Sequence, residues 1–89
     1  GEYAVLLDIA LGLTDAAIAE RQYLSRRGAQ NRLKSLYIKL GVDETQAEAF
    51  NLRARAIGIA LRRGLLNADE LAREEERLRQ WLRAGTGRS

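Results

Sequence analysis

The chain has 89 residues, 46% of them hydrophobic, and a formal net charge of +3. That is one domain with a modest core and only a weak overall pull on anionic partners. Cys, His and Pro are absent, which excludes disulfides, thiolate nucleophiles, ordinary zinc sites and imidazole acid–base chemistry, and permits long uninterrupted helices. No apolar run approaches the ~18 residues of a membrane span, and no signal-peptide pattern opens the chain. A soluble, cytoplasmic protein with no membrane partner and no cofactor is therefore expected.

The pattern predicts an all-α fold. A first helix covers roughly residues 2–11, with Val5, Leu6, Ile9 and Leu13 at helical spacing and Gly12 as its left-handed terminator. Thr14 is a candidate N-cap for a short second helix, residues 15–22, with Asp15 favoured in its first turn and Ile18 and Ala19 turned inward. After a break at residues 23–25, Ser25 is the expected N-cap of a third helix. Its core stripe is Ala29, Leu33, Leu36, Tyr37 and Leu40, and Gly41 ends it. The opposite face carries Arg27, Gln30, Asn31 and Lys34.

A fourth helix is predicted from the capping-box-like Asp43-x-x-Gln46 to Arg63, with Gly64 as terminator. It has two apolar stripes, Ala47, Phe50, Ala54, Ile57 and Leu61 on one side and Leu52, Ala56 and Ile59 on another, so two separate covers are expected. Asn67-x-x-Glu70 opens a fifth helix to about Arg83. Its apolar stripe is narrow (Leu71, Leu78, Trp81, Leu82), and Asp69–Arg73 and Glu75–Arg79 stand at the favourable i, i+4 order. The tail, residues 85–89, is expected to be disordered.

Charge is distributed unevenly. From Arg21 to Lys39 there are six basic residues and no acidic one. Two helices joined by a three-residue break, the second polar and basic on its outer face, form a helix-turn-helix arrangement. Ala19 and Ala29, ten residues apart, provide the small side chains that close helix crossing needs. The outer face of the third helix is then free to enter a major groove. A carboxylate there would meet phosphate, which accounts for the absence of acid.

At this point the residues resemble a family. The run GLTDAAIAERQYLSRRGAQNRLKSLYIKLGV is similar to the DNA-binding domain of LuxR/GerE/NarL-type regulators. The matching positions are Gly12, Leu13, Thr14, Ile18-Ala19, Leu24-Ser25, Asn31, Leu33, Leu36-Tyr37, Lys39-Leu40 and Gly41-Val42. ALRRGLL, from Ala60, is similar to the end of that family's fourth helix. The resemblance spans about residues 2–66. Gly28 and Ala29 depart from the usual Thr-Val and Arg32 from the usual His. About ten residues near Glu44–Arg53 are extra, as is the fifth helix.

The resemblance implies a four-helix, LuxR-type helix-turn-helix domain over residues 1–66, with an extended fourth helix and an extra C-terminal helix over residues 67–84. It implies sequence-specific binding of double-stranded DNA by a transcriptional regulator, either a small stand-alone protein or an effector domain. Gln30, Asn31 and Lys34 would face the groove, Gln30 suited to adenine and Lys34 to guanine. Arg26, Arg27 and Lys39, with the hydroxyls of Thr14 and Ser25, would hold phosphates. Family domains commonly pair through their last helix, so a homodimer is expected to use Leu52, Ala56, Ile59, Leu78, Trp81 and Leu82. Its half-sites would lie about 34 Å apart or a multiple of it. The alternative to that dimer is a monomer with the fifth helix folded back on the fourth.

Enzymatic function is not expected. The carboxylates of Glu74, Glu75 and Glu76 lie on a charge-alternating helix with Arg partners, and no phosphate-cradling glycine loop or metal-ligand cluster is present. The rival class is a protein-interaction adaptor, or a sigma region-4-like module, that binds another regulator or RNA polymerase.

Overall fold

The computed structural model describes residues 1–85; the expectation for the tail concerns residues that lie, apart from Gly85, outside that range. Among the described residues the protein is all-helical. It comprises α1 (Glu2–Ala10), α2 (Asp15–Arg21), α3 (Arg26–Leu40), a 3-10 turn (Glu44–Gln46), α4 (Leu52–Arg62) and α5 (Ala68–Ala84). None of these helices is long and apolar enough to cross a membrane. Three of the four predicted caps hold. The Thr14 hydroxyl accepts from the Ala17 amide (3.2 Å) and the Ser25 hydroxyl from the Gly28 amide (2.9 Å). The Asn67 side-chain oxygen accepts from the Glu70 amide (2.8 Å). Each satisfies one of the backbone donors that a helix start leaves unpaired.

The ends of α1 to α4 are closed by one repeated device. The amide two residues past the last turn bonds back five residues, and the amide before it bonds back three. The long bonds are Leu13 to Asp8 (3.1 Å), Leu24 to Ala19 (2.8 Å), Val42 to Tyr37 (2.8 Å) and Leu65 to Ala60 (2.9 Å). The short ones start at Gly12, Tyr23, Gly41 and Gly64. These four residues have φ of 92°, 57°, 77° and 72°. Three are glycine, for which this region is free. Tyr23 is an L-residue there, at a cost of about 1–2 kcal/mol.

The core gathers Val5, Leu6 and Ile9 of α1, Ile18 and Ala19 of α2, Ala29, Leu33, Leu36 and Leu40 of α3, and Ala56, Ile59 and Ala60 of α4. Ala19 and Ala29 are both buried, and α2 packs directly on α3.

The fourth helix departs from its prediction. It starts at Leu52 rather than Asp43. The Asp43 carboxylate accepts from the Thr45 amide (2.9 Å) and hydroxyl (2.6 Å), closing a tight turn instead of opening a long helix. Asn51 is the true N-cap, accepting from the Ala54 amide at 3.1 Å. Its two stripes are covered unequally, and of the first only Ile57 packs against the core. Ala56 and Ile59 are buried, with Leu52 half-buried against the core, whereas Ala47, Phe50, Ala54 and Leu61 are exposed. α1 and α3 cover the inner stripe. Phe50 finds a local partner instead, with the Arg55 guanidinium 4.4 Å from its ring centroid.

α5 packs on α1, inserting Leu78 into the core with Leu71 and Trp81 partly buried beside it. Two polar links reinforce that seat, and a third steadies them. Tyr3 donates to Glu70. Arg21 bridges the Asp8 carboxylate of α1 and Glu74 of α5, the latter at 2.7 Å. Gln22 donates to the second Asp8 oxygen at 2.8 Å. Asp8 is wholly buried and Arg21 only 10% exposed. The first cation of the acid-free run therefore faces inward, as a three-helix tie.

Candidate nucleic-acid interface

The side of α3 turned away from the core is open. Arg26, Arg27, Gln30, Asn31 and Lys34 are all exposed, on a helix that carries no carboxylate from end to end. Helical spacing explains the separation: Ala29, Leu33, Leu36 and Leu40 are drawn into the core, so Arg27, Asn31 and Lys34 must point away. Among the described residues, none of Arg26, Arg27, Arg32 and Lys34 makes an ion pair. Their charge is answered only by solvent.

The entry to α3 is tight. A Cβ on Gly28 would lie 3.2 Å from the Ser25 hydroxyl oxygen, so the bare residue leaves the cap its room. Ser25 and Thr14 are both exposed. Each uses an oxygen lone pair for capping and keeps an O–H free to donate.

On one flank, a cleft of about 220 Å³ lies between α2, α3, the 3-10 turn and α4, lined by Asp15, Gln30, Leu33, Lys34, Tyr37, Glu44 and Arg53. Arg53 closes its wall, pairing with Asp15 and donating to the Leu13 carbonyl at 2.6 Å. Burial, assisted by the nearby Glu44 charge, pushes the Tyr37 hydroxyl above its ordinary pKa. The segment after α3 thus brings a carboxylate to the edge of the cationic face, on the side of Gln30 and Lys34. On the other flank Lys39 is exposed but engaged, its ammonium 2.9 Å from Glu2 of α1.

The structure brings the expected contact residues together unequally. Arg26, Arg27, Gln30, Asn31 and Lys34 share the open side of α3, and Ser25 stands at its head. Thr14 caps the neighbouring helix beside Asp15, which lines the same cleft as Gln30 and Lys34. The side chains expected to pair are mostly turned inward. Ala56, Ile59 and Leu78 are buried within the single chain, Leu52 and Trp81 pack against that core, and only Leu82 is exposed, at 40%. These six side chains do not form a free face, because one copy already uses most of them to close its own interior. The monomer with α5 on α4 is also replaced, since α5 takes its seat on α1.

Comparison with protein-family models, curated proteins and solved structures finds no match.

Sequence reasoning missed two side chains. Ile38 is 77% exposed and continues the stripe Arg27, Asn31, Lys34 by a further four residues. Counting that stripe to its end would have found it. Tyr23 is 86% exposed, and its backbone conformation had no signal in the sequence.

Proposed function

We propose that the protein binds double-stranded DNA through the outer face of α3, as a helix-turn-helix regulator of the LuxR type. The observation that carries the reading is an open helix face with five polar or cationic side chains, no carboxylate on its helix and no ion pair on its cations. A structural surface helix neutralises its charge locally, as α5 does. Arg26, Arg27 and Lys34 of α3 are left without ion pairs, which suits a polyanion. Arg26 and Arg27, at the start of the helix, hold phosphates, while Gln30, Asn31 and Lys34 reach base edges. Lys39 contributes only by exchanging Glu2 for phosphate.

The test is fluorescence anisotropy with a mixed-sequence duplex at two salt concentrations. Neutralising three phosphates, through Arg26, Arg27 and Lys39, predicts a loss of roughly 40-fold in affinity between about 50 and 200 mM salt, because each contact releases condensed counterions. Salt-independent binding, or none at the lower concentration, would sink the reading. Ile38 favours a second reading. An exposed apolar residue in line with Arg27, Asn31 and Lys34 suits a protein partner such as another regulator or RNA polymerase. That adaptor would bind its partner through Ile38 and ignore duplex.

A further inference from the structure

The four closures at the ends of α1 to α4 form an internal control. They share one hydrogen-bond pattern and one left-handed residue, and glycine fills that position at Gly12, Gly41 and Gly64. Tyr23 alone breaks the rule, at φ 57°. A side chain in this conformation is retained only where something offsets its strain. The fold offers nothing of the kind. The Tyr23 ring is 86% exposed, and among the described residues its hydroxyl has no hydrogen-bond partner. By contrast Tyr37 is buried and Tyr3 is bonded to Glu70.

The location of the exception carries the inference. Tyr23 stands two residues before the Ser25 cap and three before Arg26, on the connection that leads into the cationic face. We propose that Tyr23 is a backbone-contact residue for the nucleic acid: its ring lies against a deoxyribose and its hydroxyl donates to a phosphate oxygen of the strand bordering the α3 face. A tyrosine suits that place because it presents a flat apolar body with a polar tip, matching sugar and phosphate together. The inference rests on the DNA-binding reading and adds to it a non-cationic anchor that reads no base.

The two roles of Tyr23, costly to the fold and useful to binding, separate experimentally. Full-length Y23G, Y23F and wild type would be compared by thermal melting and by anisotropy against two unrelated duplexes at low salt. Y23G is expected to melt several degrees higher yet bind roughly 10-fold more weakly, by the same factor on both duplexes, since sugar–phosphate contacts carry no sequence information. Y23F is expected to keep the wild-type melting temperature and lose about 3-fold, the lower end of what one solvent-exposed hydrogen bond contributes. A stabilised Y23G with unchanged affinity would overturn the proposal while leaving the DNA reading intact. A destabilised Y23G would overturn it too, by showing that the ring serves the fold. No binding by wild type would overturn both.

Discussion

α3 and α5 are both rich in arginine, yet they treat it in opposite ways. On α5 three of the four arginines are matched along the helix, Arg77 to Glu74 at 2.7 Å, Arg79 to Glu75 at 3.4 Å and Arg83 to Glu76 at 3.6 Å. Among the described residues the expected Asp69–Arg73 pair does not form. On α3 Arg26, Arg27 and Lys34 stand without partners. The contrast teaches that cation content says little about function. α5 is a solvated strut most of whose cations are matched within about two turns of the same helix. The start of α3, at Arg26 and Arg27, projects a field that no ion pair answers, and such a field reaches a partner before contact does.

Arg21 is where the two regimes meet, and it should produce the largest effect. It belongs by sequence to the cationic run and by structure to the buried tie with Asp8 and Glu74. R21A leaves an unpaired buried carboxylate and is expected to cost about 3–5 kcal/mol, comparable to the whole stability of a domain this size. Urea denaturation measures it, and a loss below 1 kcal/mol would show that the tie is solvated. Next comes charge reversal on the open face. The double variant R26E/R27E is expected to weaken duplex binding by roughly 100-fold or more at low salt, while R77E/R79E on α5 stays within about 3-fold. Equal losses would erase the distinction between the two helices.

Acidification sharpens the same comparison, because the two carboxylates of Arg21 respond with opposite sign. Burial raises the Asp8 pKa above its ordinary 3.8, despite Gln22 and Arg21. Its native form therefore takes up a proton more readily than the unfolded chain. Asp8 costs stability at neutral pH, and that cost is relieved as pH falls through its native pKa. For Glu74, burial pushes upward, but Arg77 and Arg21 together hold the pKa below its ordinary 4.5. Its contribution is present above about pH 4.5 and is lost as pH falls through the lower native value. Stability measured from pH 7 to 3 should show wild type gaining on D8N in mild acid and losing its advantage over E74Q in stronger acid. Parallel curves for both variants would contradict the opposed environments. The smallest effect belongs to α5 itself. Removing the Arg79–Glu75 pair, 64% and 42% exposed, should change stability by no more than about 0.5 kcal/mol.

What the sequence disclosed was mostly what neighbours in the chain decide. Thr14, Ser25 and Asn67 each bind an amide three residues on, and Gly41 turns the chain by its own conformation. Helix limits at these points follow within a residue or two. Asp43 and Asn51 are both good caps, and helical periodicity runs smoothly through both. The choice between them depends on Asp43 closing its turn through Thr45, a competition of nearly equal local options. The phase of α4 was illegible for a different reason. Its two stripes are similar in hydrophobicity, and only the position of α1 and α3 selects Ala56 and Ile59 over Ala54 and Leu61. The cationic side of α3 was legible because its apolar stripe leaves one direction for the rest. The inward turn of Arg21 and the engagement of Lys39 by Glu2 were not, since both partners come from distant helices.

The uniform corners have a kinetic corollary. Each is stitched by bonds between groups three and five positions apart, so every change of direction can be made before any far-off surface arrives. The chain also contains no proline, which removes the isomerisation that delays many refolding chains by tens of seconds. Dilution from urea should give one exponential in the microsecond-to-millisecond range typical of helical bundles, with no slow tail.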